Sequence, residues 1–187
     1  MEQEETPRLR IAGIEPESFV DGPGIRMTIF TQGCHHHCPG CHNPQTHDFN
    51  GGHFIGIDEI LSMIEENPLL DGVTFSGGDP LEQAAALVPL AREIKERGMN
   101  LVIYTGYTYE RIMELSNERP DMFELLTFAD MLIDGPFVMA KKSLELKFRG
   151  SSNQRIIDVQ ESLTQGHVVL HQIQLDEMQK KPEAVLS

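Results

Sequence analysis

The sequence predicts an α/β protein, an incomplete and open TIM-like barrel of parallel βα units. Three observations carry that prediction. Strand and helix patterns alternate from residue 9 to residue 134, an order that builds a parallel sheet with right-handed crossovers. Five strands fit in that stretch and one more fits at 155–159, whereas a closed eight-unit barrel takes about 250 residues and this chain has 187. The cysteine-rich and glycine-rich turns follow strands, at the sheet edge where loops of such folds converge on a ligand. An open barrel of this kind leaves its strand ends along a lateral cleft in which something large can dock.

Taken in order, residues 1–8 are acidic and polar and read as a flexible N-terminal tail. Leu9 to Ile14 reads as a short strand, and Glu15 to Gly24, with its Asp21-Gly22-Pro23-Gly24 run, as a turn-rich connector. Ile25 to Thr31 is β-rich, and the cysteine loop leaves from its end. Pro44 to Gly56 is polar and glycine-rich, hence a loop. Apolar residues at 57, 60, 61 and 64 open a helix that ends near Asn67-Pro68. Gly72 to Phe75 is a strand running into Ser76-Gly77-Gly78-Asp79-Pro80. A helix from Leu81 to Arg97 follows, with Leu81, Ala84, Ala85, Val88, Ala91 and Ile94 on one face, a kink expected at Pro89 and a stop at Gly98. Asn100 to Tyr104 is a strand, Tyr109 to Asn117 and Met122 to Phe128 are helices, and Met131 to Asp134 is a strand ending on Gly135-Pro136. Leu144 to Asn153 reads as a polar loop at a strand edge. A single domain therefore spans 9–171, and 172–187 is a polar, frayed C-terminal tail.

Composition narrows the function classes. The chain carries 15 basic and 29 acidic residues, a formal net charge of −14, which repels phosphate backbones and argues against nucleic-acid binding. The longest apolar runs, such as Ala84 to Leu90, stop far short of the roughly 20 residues a membrane-spanning helix needs. Met1 to Pro7 does not resemble a secretory signal, so a soluble chain in a reducing, cytoplasmic compartment is expected.

All three cysteines lie in Gly33-Cys34-His35-His36-His37-Cys38-Pro39-Gly40-Cys41-His42-Asn43. A disulfide would leave one over. Three soft ligands spaced C-x3-C-x2-C can wrap one face of a compact metal centre, and thiolates favour zinc or an iron–sulfur cluster over magnesium or calcium. Zinc remains open on spacing alone, with His35, His36, His37 or His42 completing a tetrahedron. In a four-iron cluster, three thiolates leave one iron uncovered, and an uncovered metal position marks reaction with a bound molecule.

The second constellation is Ser76-Gly77-Gly78-Asp79-Pro80. Two glycines let backbone approach a ligand with no Cβ in the way, although a tight strand-to-helix turn explains the run equally well. On a neighbouring strand to the cysteines, it fits a small ligand held between metal and backbone.

The cysteine spacing followed by Gly-Gly-Asp-Pro resembles the radical S-adenosylmethionine superfamily, and the open barrel is then of radical SAM type. Asp21-Gly22-Pro23-Gly24-Ile25-Arg26, Phe30, Gly33-Cys34 and Cys41-His42-Asn43 resemble the enzymes that install glycyl radicals. Cys38-Pro39-Gly40-Cys41, Tyr104-Thr105-Gly106-Tyr107, Asp134-Gly135-Pro136-Phe137 and Arg149-Gly150-Ser151-Ser152-Asn153-Gln154 resemble the activators of anaerobic ribonucleotide reductase within that group. Many superfamily members carry an aromatic residue where Gly40 stands; Gly is common there in the reductase activators. No cysteines are left for the additional clusters of other branches.

This resemblance implies that Cys34, Cys38 and Cys41 hold one 4Fe-4S cluster whose fourth iron chelates S-adenosyl-L-methionine. It implies that Gly77, Gly78 and Asp79 meet the methionyl end of that ligand, and that Gly40, Cys41 and His42 line its nucleoside side. Asp134 is a candidate contact to the ribose or a cation, or a cap of its own turn. The cofactors carry the chemistry, so no general acid or base is expected, and His35 to His37 are expected on the loop surface. The implied partners are the large subunit of anaerobic ribonucleoside-triphosphate reductase and flavodoxin or a similar electron donor. The alternatives are an activator of another glycyl radical enzyme, such as pyruvate formate-lyase, and a non-catalytic zinc-binding interaction module.

Overall fold

The computed structural model describes residues 7–180. Seven strands form one open sheet: β1 (Arg8–Ser18), β2 (Arg26–Thr31), β3 (His53–Gly56), β4 (Gly72–Gly77), β5 (Asn100–Tyr104), β6 (Met131–Asp134) and β7 (Arg155–Asp158). Their spatial order is β3-β1-β2-β4-β5-β6-β7, so the first and last strands never meet and the barrel stays open. The central four, β2-β4-β5-β6, are parallel, as expected. Helices α1 (Ile57–Glu66), α2 (Ala84–Glu96), α3 (Tyr109–Leu115) and α4 (Pro120–Phe128) make the crossovers between them.

The outer strands depart from the all-parallel expectation. β1 is antiparallel to both β2 and β3, and β7 is antiparallel to β6. The β1–β2 connection is a short turn-rich segment, which can only return the chain antiparallel, because a parallel return needs a crossover. β3 lies within the stretch read as loop, and β1 runs four residues past Ile14. Residues 159–165 and 172–179 form α5 (Val159–Gln165) and α6 (Gln172–Gln179), so the polar stretch from 172 is folded as far as Gln179. Gln174 of α6 is buried and accepts a 2.6 Å bond from the Ile156 amide. At the other end, Arg8 already pairs with Gly56, while residues 1–6 and 181–187 lie outside the described residues.

Alternation along the strands divides the sheet into two environments. Met27, Ile29, Val73, Phe75, Leu101, Ile103, Leu132 and Ile157 face the helices, and Leu87, Val88, Ala91 and Ile94 of α2 close over them. Ala85, expected on that face, is exposed, and Leu90 is buried instead. The opposite face carries Arg26, Thr28 and Thr74, then the apolar cluster of Val102, Met131, Ile133 and Ile156. Arg26 is fully buried there. It donates to Thr74 Oγ1 and to the carbonyls of Pro23, Val73 and Asn100, and burial lowers its pKa to about 10.

Candidate cofactor site at the carboxyl edge of the sheet

Parallel strands end together, so β2, β4, β5 and β6 deliver their following turns to one edge. A cavity of about 460 Å³ opens there. Its walls include Cys34, Cys38, Cys41 and His42 from the loop after β2, Ser76 and Gly77 from the end of β4, and Gly78 just beyond it. Tyr104 at the end of β5, Thr105 and Gly106 after it, and Gly135 after β6 complete the edge. Its size is within the range of small-molecule sites. Phe30, Ser76 and Tyr104, the last residues of their strands on the inward face, form part of the lining, which follows from the period-2 alternation.

The glycine turn is held close to the cysteine loop. Gly77 has φ +95°, and a Cβ on it would lie 2.5 Å from the Thr31 amide nitrogen. A Cβ on Gly78 would lie 2.3 Å from the carbonyl oxygen of Gly33, the residue just before Cys34. The Gly78 and Asp79 amides donate to the carbonyls of Thr31 and Gly33 at 2.8 and 2.9 Å. The two constellations found in the sequence are therefore one folded unit, with Gly78 serving its packing as well as lining the cavity.

Asp79 does not line the cavity; its carboxylate is fully buried behind it. Four donors converge on it: the Leu81 amide at 3.0 Å, Thr105 Oγ1 at 2.8 Å, the Gly106 amide at 2.9 Å and His36 Nε2 at 2.7 Å. Three segments meet on this one side chain. His36, expected on the loop surface with its neighbours, is instead tucked against Gly106, where any Cβ would strike the imidazole ring. The Asp79 carboxylate raises the His36 pKa through that hydrogen bond, outweighing burial, which lowers it. Tyr107 stacks edge-on against the ring at 4.6 Å and donates to Glu82 Oε1 at 2.8 Å. Nothing in the sequence marks His36 apart from His35 and His37; only the fold selects it.

Gly40 does not line the cavity either, and it is exposed. Its φ is +72°, and a Cβ there would collide with the Met139 methyl. Asp134 differs most from its expected place. The carboxylate, 1% exposed, accepts from the Tyr109 amide at 2.8 Å and pairs with Arg155, which also binds Glu110. Gly135, not Asp134, reaches the cavity. The partner, Arg155, is some twenty residues downstream and becomes adjacent only through β6–β7 pairing.

The far wall comes from 137–154. Gln154 Oε1 accepts from the Gly150 and Ser151 amides at 3.0 and 3.1 Å, and its Nε2 donates to the Gly135 carbonyl. Asn153 Nδ2 donates to the Pro136 carbonyl at 2.8 Å. The run from Arg149 to Gln154 is thus a clasp that fastens the turn after β6, and Arg149, buried, pairs with Glu177 of α6. Phe137 packs against the His42 ring at 5.0 Å.

The donor set fits an iron–sulfur cluster. All three cysteines are free thiols on one wall. Among the described residues, no three His, Cys, Asp or Glu side chains close on a single ion, whereas a cluster spreads its ligands around several irons. Burial pushes the Cys34 thiol up to about 11, so it meets a cation as an acid that must give up its proton, and the positive centre offsets the desolvation.

Comparison with known proteins is consistent with this reading. The family described as "4Fe-4S single cluster domain" matches residues 20–157, which contain every residue of the site named above except Glu177. The anaerobic ribonucleoside-triphosphate reductase-activating protein of Vibrio cholerae is 34% identical over 149 residues, covering 75% of this chain and 92% of that protein. Those of Haemophilus influenzae and Escherichia coli are 33% and 35% identical, covering 75% and 74% of this chain and 92% of each relative. The chain belongs to the family of anaerobic ribonucleoside-triphosphate reductase-activating proteins. Among solved structures, QueE from Escherichia coli aligns with a TM-score of 0.43 and 18% identity over 54% of each chain. As a member of the activating-protein family, the chain holds its three cysteines and its glycine turn inside the matched cluster domain. No helix among the described residues is long and apolar enough to cross a membrane.

Proposed function

We propose that the protein activates anaerobic ribonucleoside-triphosphate reductase by reductive cleavage of S-adenosyl-L-methionine at a 4Fe-4S cluster. The observation that carries this reading is the single cavity shared by Cys34, Cys38, Cys41 and the Gly77-Gly78 turn, in a chain of the activating-protein family. When bound, the cluster supplies one electron that splits the sulfonium into methionine and a 5′-deoxyadenosyl radical, which takes a hydrogen atom from a glycine of the reductase to leave a glycyl radical.

The chain's own residues bind, orient and shield. Cys34, Cys38 and Cys41 would hold three irons and leave the fourth to the amino and carboxylate groups of S-adenosylmethionine. Gly77 and Gly78 would admit its methionyl end against bare backbone, and Cys41 and His42 would border its nucleoside. Asp79 acts one layer back, locking the glycine turn, the turn after β5 and the cysteine loop into one arrangement. Such positioning keeps the sulfonium against the cluster and limits water and oxygen. Gly40 supports the cysteine loop through Met139, and Asp134 supports the edge through Arg155. Electrons would come from flavodoxin or a similar small redox protein.

The test is anaerobic incubation with the reductase, a reductant and S-adenosylmethionine. A glycyl doublet by electron paramagnetic resonance, with 5′-deoxyadenosine and methionine formed, is expected. Cleavage without a radical in the reductase, beside a working control activator, would reassign the target.

A further inference from the structure

The cavity has an uneven rim. Residues 141–152 form a closed lip: Lys142 bridges to Ser151, the Ser143 amide donates to the Gly150 carbonyl at 3.2 Å, and the Ser152 amide to the Lys141 carbonyl at 2.9 Å. At the tip, Leu144 lines the cavity yet is 91% exposed. Val20, which also lines the cavity, is 75% exposed, and its neighbour Phe19 is 65% exposed. Large apolar side chains held out at the mouth of a cavity lose free energy to water until something covers them.

Charge says what covers them. The protein is acidic overall, at −14, yet residues 141–149 hold four of its 15 basic side chains and one of its 29 acidic ones. Lys141, Lys142 and Lys147 are exposed and make no ion pair among the described residues, whereas Arg92, Lys95, Arg97, Arg111, Arg119, Arg149 and Arg155 all do. Arg8, Arg10, Arg26 and Lys180 are also without an ion pair among the described residues, but they are scattered along the chain, with Arg26 buried and Arg10 bonded to backbone carbonyls, whereas the three lysines are clustered within seven residues. A cationic lip on an anionic protein creates a local field that draws an acidic partner to this face and repels it from the rest. Phosphate polymers would meet the net negative charge of the whole molecule. Hydrogen transfer from a glycine requires van der Waals contact with the reacting carbon, so the donor's backbone must pass this mouth.

We propose that the 141–148 lip and Val20 form the docking mouth for an acidic, apolar-bearing segment of the reductase. Lys141 and Lys147 steer that segment, and Leu144 and Val20 grip it. The inference rests on the activating function proposed above and adds the chemistry of the surface that recognises the target.

The experiment measures anaerobic binding of the reductase from the same organism to cluster-loaded protein with S-adenosylmethionine, at about 50 and 300 mM salt. Wild type is compared with the double variant Lys141→Glu/Lys147→Glu and with Arg111→Glu, an exposed charge reversal on α3. The lip variant should bind about tenfold or more weakly at low salt and lose most of the salt response. Its iron and sulfide content and its partner-independent cleavage of S-adenosylmethionine should equal those of wild type. Equal affinity of the lip variant, or an equal loss in Arg111→Glu, overturns the proposal. So does self-association of wild type that the lip variant abolishes, because the mouth would then join two copies. If wild type raises no glycyl radical in the reductase, the functional reading itself falls. If wild type and lip variant raise it with the same affinity, only the docking mouth falls.

Discussion

Replacing Asp79 with Ala should destabilise the fold more than any other single change at the site. The carboxylate is fully buried and gathers four donors from three segments: Leu81, His36, and the Thr105-Gly106 pair. Removing it strands the Leu81 and Gly106 amides and the Thr105 hydroxyl; each unpaired buried polar group costs about 1–3 kcal/mol. His36 is half-buried and can recover part of its loss from water. Water reaching the cavity side trims the total, so about 4 kcal/mol is expected, close to the cost of breaking a buried charged pair. For a urea slope of about 2 kcal/mol per molar, the unfolding midpoint should fall by about 2 M. Thr105→Val removes one donor and leaves the rest, and should cost only about 1 kcal/mol. Anaerobic urea unfolding followed by circular dichroism, on reduced protein without added iron, measures both. A midpoint shift below about 0.5 M for Asp79→Ala, or one no larger than that of Thr105→Val, would refute the view of Asp79 as the clamp of the site.

Two further outcomes follow from the geometry. Gly78→Val should lower cluster retention as well as S-adenosylmethionine binding, because its Cβ would press on the Gly33 carbonyl beside Cys34; full iron and sulfide content after gel filtration would show that the turn and loop are uncoupled. Arg155→Gln strands the buried Asp134 carboxylate and should cost about 3 kcal/mol at pH 7, read by the same unfolding assay. Hydrogen bonding to Arg155 lowers the Glu110 pKa, so the part of this stabilisation owed to Glu110 is complete above its unfolded value of about 4.3 and is lost as pH falls through the folded value. The gap between wild type and Arg155→Gln should therefore be flat from about pH 6 to 8 and narrow below about pH 4.5; widening on acidification would contradict the assignment.

Much of the architecture was legible in local pattern. β5 and β6 lie where alternating and β-branched residues put them, and α1 starts at the residue where its 3.6-residue periodicity begins. The edge strands were not legible in direction, because apolar alternation records which face is buried and not which way a neighbour runs. β3 has four residues and buries only Ile55, too little signal to separate it from a loop. α6 buries only Gln174 among its eight residues, so its apolar stripe is faint, and it is held by that side chain and by the Arg149–Glu177 pair instead.

The same division runs through the site. By itself the order of residues determined that three thiols stand on one loop after a strand and that two glycines follow another, since spacing along a chain and the turn chemistry of glycine are local properties. Tertiary structure alone decided that His36 rather than His35 or His37 locks the loop, that Asp79 works behind the cavity wall, and that Asp134 is paired with Arg155. Each of those assignments depends on a contact between residues 21 to 43 positions apart, brought together by strand pairing and by the shared edge where parallel strands end. Burial then leaves each carboxylate no choice but the donors it finds there.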